Sequence, residues 1–211
     1  MTDTRRIYDG VAYPYLWIGG GVFVLVTLVL VVFLVRYRAR PGREPGERAE
    51  APKVEIGFGI FLAFVVAGLL VITFTALGRD DALGNRAAAG PPLRVEVVAA
   101  QWEWRFSYPG TPVTQEAPGN GDPTILYVPA GRQILFTGHS QDVLHDFWIP
   151  DLRFQRQVWP GHEERWGLVF PHPGTYQGLC AWFCGLYHEA MHFDVRALPP
   201  AEFRAWLASR A

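Results

Sequence analysis

Two uninterrupted apolar runs dominate the first third of the chain, one from Tyr15 to Val35 and one from Ile56 to Leu77, and neither holds a charged side chain. At about 1.5 Å per residue each run reaches across a hydrocarbon layer of about 30 Å, so the pattern predicts two membrane-spanning helices. A cleaved signal peptide before a single span fits less well. The first run begins well inside the chain and ends in Arg36-Tyr-Arg38-Ala-Arg40 instead of a small-residue cleavage site. Glycines 19, 20, 21, 57, 59 and 68 allow close packing of such helices. Between the runs, residues 36–54 carry Arg36, Arg38, Arg40, Arg43, Arg48 and Lys53. Short cationic loops stay in the cytoplasm, so both termini are expected on the other side of a prokaryotic cell (inner) membrane.

The pattern changes after the second run. Residues 78–92, GRDDALGNRAAAGPP, read as a linker. The expected organisation is a helical hairpin over 1–79, a linker over 80–92 and an extracytoplasmic domain over 93–211. In that domain short apolar runs alternate with turn signals such as Pro109-Gly110, Pro160-Gly161 and Pro173-Gly174. Strands are predicted at Arg94–Ala99, Trp102–Tyr108, Thr124–Val128, Arg132–Gly138, Phe147–Ile149, Arg153–Val158, Arg165–Phe170, Thr175–Leu179 and Met191–Ala197, a spacing that suits a sandwich or barrel. Pro199 to Arg210 reads as a short helix with Phe203 and Trp206 on one face.

Composition adds little to this picture. The net charge is −1 over 211 residues, which gives no sign of nucleic-acid binding. From residue 91 onward there are 12 acids against 9 arginines, a mild bias toward a basic partner.

The chemistry is concentrated in one stretch, Cys180-Ala-Trp-Phe-Cys184-Gly-Leu-Tyr-His188-Glu-Ala-Met191. Its two cysteines are the only ones in the chain. In an exported domain a disulfide is the plain reading of two cysteines. Here His188 and Met191 follow at short spacing, and thiolate, imidazole and thioether form the soft ligand set that selects copper. Cupredoxin sites place Cys, His and Met on one loop between the last two strands and take another His from earlier in the chain; His145, just before a predicted strand, suits that position. One copper needs one cysteine. Two cysteines suggest two bridging thiolates, with His145 and His188 as terminal ligands, Met191 as a weak axial ligand and the Trp182 carbonyl as another. His139, His162, His172 and His192 are expected to be structural or exposed.

The pattern C-x3-C-x3-H-x2-M, preceded by Asp142-Val143-Leu144-His145-Asp146-Phe147-Trp148-Ile149-Pro150 and by Gln101-Trp102-Glu103-Trp104, resembles the binuclear copper (CuA) domain of cytochrome c oxidase subunit II. The resemblance implies a cupredoxin-like Greek-key barrel behind the two-helix anchor. It implies two copper ions, and a subunit of a proton-translocating oxidoreductase whose catalytic haem–copper site lies in another chain. Expected partners are that haem-containing subunit I, membrane lipid, and cytochrome c or a small copper protein as donor. Trp102 matches the family's surface tryptophan through which electrons arrive. Glu55 matches a glutamate at the mouth of a proton channel belonging to subunit I, and a solvated helix-end residue is the alternative there. Two departures put magnesium in question: Trp182 stands where many members have a glutamate, and Gln157 lies near a position where the family often has an aspartate. No C-x-x-C-H haem-attachment motif occurs. Two other functions compete: the small subunit of a copper-containing nitric oxide reductase, which shares this domain, and a membrane-tethered copper-delivery or sensing protein.

Overall fold

The computed structural model describes residues 3–38, 42, 51–83, 91–117 and 122–210. It forms two compact units, Tyr8–Gly78 and a second made of Met1–Ile7 with Arg79–Ala211.

The first unit holds most of α1 (Asp3–Arg36) and of α2 (Pro52–Leu83). Their apolar windows have mean hydropathies of 2.9 and 2.7, and none of either window is buried. Surfaces of this kind match lipid and not water. The Tyr15 hydroxyl and Thr73 Oγ1 lie 2.8 Å apart and join the two helices by a polar contact. α1 begins well before the expected span. α2 runs on to Leu83, so the first residues of the expected linker are helical; no proline interrupts them, and an established helix extends at little cost. Residues 84–90 of that linker lie outside the described residues, as do Arg40, Arg43 and Arg48 of the cationic loop.

Among the described residues the second unit holds ten strands: β1 (Leu93–Ala100), β2 (Glu103–Ser107), β3 (Thr114–Gln115), β4 (Thr124–Pro129), β5 (Gln133–Ser140), β6 (His145–Ile149), β7 (Phe154–Val158), β8 (Glu164–Val169), β9 (Gly174–Cys180) and β10 (His192–Leu198). They form two five-stranded sheets, ordered β3-β2-β1-β5-β8 and β4-β10-β9-β6-β7. β1–β5 and β4–β10 are parallel pairs. The expected all-β domain takes the form of a two-sheet sandwich: among the described residues no ladder closes the sheets into a ring, because β3, β8, β4 and β7 pair only inward. β3 carries two residues, too few to show an alternation in the sequence.

Period-two alternation creates the core. Val95, Val97 and Ala99 of β1, Trp104 and Phe106 of β2, and Phe193 and Val195 of β10 are buried, with their neighbours turned outward. Trp104 of one sheet meets Phe147 of the other edge-on at 5.7 Å, and Phe147 stacks on Phe193 at 4.6 Å. Gly178 of β9 pairs with Phe193, and a Cβ there would fall 2.1 Å from the ring, so only glycine leaves room for it. The final helix, α3 (Pro200–Ala208), buries Phe203 and stacks Trp206 on Tyr127 at 4.5 Å. Those are the two aromatic residues expected on its inner face.

Candidate metal centre

Three neighbouring strands of the second sheet deliver the cluster. His145 opens β6, Cys180 closes β9, and Met191 immediately precedes β10, while Cys184 and His188 lie in the β9–β10 loop. The sheet order β10-β9-β6 places these chain positions side by side. Cys180 Nα donates to the Met191 carbonyl at 3.1 Å, which ties the two ends of the loop. A 3-10 turn over His188–Ala190 orders its second half.

The donor atoms converge. Cys180 Sγ and Cys184 Sγ lie 3.9 Å apart, and both thiols are free and buried, so the disulfide alternative is not realised. His145 Nδ1 is 3.9 Å from Cys180 Sγ, and His188 Nδ1 is 3.5 Å from Cys184 Sγ. Met191 Sδ is 3.8 Å from Cys184 Sγ, and the Trp182 carbonyl is 3.3 Å from Cys180 Sγ. Atoms of His145, Cys180 and Cys184 fall within 4.8 Å of one another, close enough to share a metal. All six positions expected from the sequence therefore meet at one place. Two thiols, two imidazoles, a thioether and a carbonyl suit copper better than a hard cation, which prefers carboxylates and water.

Burial, followed by the neighbouring Cys180 thiol, pushes the Cys184 thiol up to about 12. Without a cation beside it this sulfur keeps its proton at neutral pH, and a bound metal is what removes it.

His145 is fully buried, and its Nε2 faces Asp142 Oδ1 at 2.9 Å. A carboxylate at Nε2 fixes the tautomer that leaves Nδ1 free to bind metal. Asp142 is itself held by the amides of Gln101 at 2.7 Å and Val143 at 2.6 Å. Burial alone would raise the Asp142 carboxyl, but the His145, Gln101 and Val143 hydrogen bonds outweigh it and hold the group below its ordinary range. Asp142 and Gln101 enter the sequence pattern only as members of their motifs, and an acid three residues before the candidate ligand is the signal of such support.

Trp102 is half-buried, with its ring edge-on to Tyr187 at 4.9 Å. It also lies against Gly185, where an added Cβ would come within 3.2 Å of Trp102 Cζ2. Around the loop, Phe183, Leu186, Tyr187 and Trp182 are 78%, 73%, 53% and 46% exposed, so the rim of the cluster is apolar. Asp146 is fully buried beside His145. Burial raises its carboxyl although Gln155 donates to it. It pairs with Gln157 across β6–β7, and both line a pocket with Gln155 and Glu164. His162, His172 and His192 are exposed and His139 is half-buried. Glu55 belongs to the helical unit, where its carboxylate accepts from the Ala51 amide at 3.2 Å and caps the start of α2.

Among known proteins, the chain is 29% identical over 254 residues to cytochrome c oxidase subunit 2 of Synechocystis sp., across 99% of this chain and 74% of that one. It is 28% identical over 194 residues to cytochrome c oxidase subunit 2 of Alkalihalophilus pseudofirmus and spans about half (53%) of that relative's length. Quinol oxidase subunit 2 of Bacillus spizizenii is 30% identical over 198 residues, across 91% of this chain and 58% of that protein. The crystal structure of the periplasmic domain of subunit II of cytochrome oxidase (CoxB) of Bradyrhizobium japonicum shares the fold, with a TM-score of 0.52 at 20% identity over 59% of this chain and 96% of that one.

A two-sheet sandwich with a buried thiol–imidazole–thioether cluster, preceded in the chain by two membrane-length helices, defines a membrane-anchored, cupredoxin-like copper protein. Residues 121–198 match the family model for the periplasmic domain of cytochrome c oxidase subunit II. That stretch of the β domain carries the periplasmic domain of the cytochrome c oxidase subunit II family.

Proposed function

We propose that this chain is the electron-accepting subunit of a haem–copper terminal oxidase. It takes electrons from a cytochrome c or a small copper protein and passes them to haem in a partner subunit I, which reduces oxygen to water and pumps protons. The observation that carries this reading is the convergence of two buried thiols, two imidazole Nδ1 atoms and one thioether. A copper-delivery or sensing site needs an exposed, exchangeable metal, whereas both thiols here are buried.

His145, Cys180, Cys184, His188 and Met191, with the Trp182 carbonyl, would hold two copper ions. The pair, when bound, supplies one-electron storage that alters each metal–ligand bond only slightly. The chain's residues do the rest. Asp142 holds the His145 tautomer, the β6, β9 and β10 ends hold the donor spacing, and the aromatic rim keeps water from the sulfurs. Trp102, packed against the ligand loop, offers a donor protein the short route inward.

The anchor crosses the membrane twice, with residues 36–54 in the cytoplasm and the β domain from residue 93 outside. Glu55 at the start of α2 helps protons reach subunit I; Glu55→Gln slows oxygen turnover while leaving metal content unchanged, and equal turnover reduces the residue to a helix cap.

Metal analysis with electron paramagnetic resonance on the purified complex tests the central claim. Two coppers per chain sharing one unpaired electron are expected. One copper per chain, or a Cys180–Cys184 disulfide in the active complex, would overturn it, and consumption of nitric oxide in place of oxygen would change the terminal acceptor.

A further inference from the structure

We propose that Gln101 is a positioning residue for the metal centre, holding the His145 arm and the Cys184 arm of the cluster in register. The inference rests on the copper reading above. Gln101 sits in the turn between β1 and β2, in the first sheet, whereas the candidate ligands belong to the second sheet and its β9–β10 loop. From there it makes two bonds in two directions. Its backbone amide donates to Asp142 Oδ2 at 2.7 Å, and Asp142 Oδ1 in turn holds His145 Nε2 at 2.9 Å. Its side-chain Nε2 donates to the Cys184 carbonyl at 2.6 Å. The two partners lie 41 and 83 residues away along the chain, so one residue clasps both halves of the site.

The loop needs such a clasp. Its own backbone bonds secure its start and its second half: Ala181 donates to the Asp146 carbonyl, and His188 to the Gly185 carbonyl. The Cys184 carbonyl lies between them, and Gln101 is what orients that peptide, and with it the direction of Cys184 Sγ and the start of the turn that carries His188. Gly185 completes the fit. Its φ is +122°, and a Cβ there would come within 3.0 Å of Gln101 Nε2, so the loop is threaded directly against this amide. Trp102, the next residue, packs on the same glycine. The proposed route for arriving electrons and both ligand arms thus share one anchor.

The side-chain bond can be removed alone, because the Asp142 bond uses the backbone. Gln101→Met keeps the volume and deletes the donor; Gln101→Asn keeps the amide but falls one methylene short, and serves if the first variant does not fold. In the purified complex, either variant is expected to take up two coppers at saturation but to surrender them to a chelator about tenfold more readily, the usual scale for residues that support a ligand. The electron shared between the coppers should become unequal in the resonance spectrum. In the metal-free chain, amide exchange over 184–188 should rise several-fold while the melting temperature stays close to that of the parent. Retention, spectrum and exchange all equal to the parent would overturn the role of Gln101. If the parent itself takes up no copper pair, the copper reading fails, and the exchange measurement alone decides whether Gln101 holds the loop.

Discussion

Asp142→Asn isolates the link between the fold and the proposed metal ligand His145. In the parent, Asp142 Oδ1 accepts from His145 Nε2 and the Val143 amide, while Oδ2 accepts from the Gln101 amide. An asparagine has one acceptor atom and one NH2 group. Whichever way the amide turns, one set of donors faces another donor. A hydrogen bond to a charged acceptor contributes about 1.5–3 kcal/mol. The Asp142 side chain is 31% exposed, so solvent compensates part of the loss and the lower end, about 1–2 kcal/mol, applies. For a domain of this size each kcal/mol is worth roughly 3–6 °C, so the metal-free protein should melt about 3–12 °C lower. The tautomer effect comes in addition: with no carboxylate to accept from Nε2, His145 no longer favours a free Nδ1, and copper retention should fall about tenfold. Calorimetry of the metal-free protein and chelator competition on the loaded protein read the two effects separately. Unchanged melting together with unchanged copper retention would refute the argument that Asp142 orients His145.

Other consequences are as direct. Trp102→Ala should slow reduction by the electron donor much more than it weakens donor binding, as measured by stopped-flow and by titration; equal rates would remove Trp102 from the path. Tyr108 gives a pH dependence with a definite sign: burial raises its phenol, whose O–H donates to the Tyr127 carbonyl at 2.7 Å. The unfolded chain releases this proton near pH 10 and the folded one does not, so the unfolded state binds fewer protons there and stability should fall as pH rises past that point. In Tyr108→Phe that alkaline fall should flatten, and denaturant midpoints measured between neutral and strongly alkaline pH check it. Protease added to right-side-out vesicles should remove the β domain; cleavage confined to residues 36–54 would invert the topology.

How much of this was legible in the sequence differs by element. Nine of the ten strands are predicted to within a residue or two, because one face of each meets the core and alternation marks it. β3 escapes, since two residues carry no period. The candidate ligand set is legible because metal chemistry restricts both residue type and spacing: Cys180, Cys184, His188 and Met191 lie within one stretch, and His145 stands beside an acid in a dense aromatic motif. The support of that set is not legible. Gln101 acts through a backbone amide and a side chain that reach 41 and 83 residues away, and no spacing rule encodes such contacts. The end of α2 is missed for a local reason: the apolar pattern stops at Leu77, but nothing stops the helix there.

The division between sheet and loop also ranks the proposed ligands by what holds them. His145, Cys180 and Met191 inherit their positions from three adjacent strands, and strand spacing is among the least adjustable distances in a protein. Cys184 and His188 have only the loop, so their placement depends on the 3-10 turn, on Gly185 and on the contacts of Gln101 and Trp102. A centre that gains and loses electrons without moving its ligands needs both kinds of support. Damage to the loop supports should therefore unbalance the site before it empties it, whereas damage to the strand ends should empty it outright.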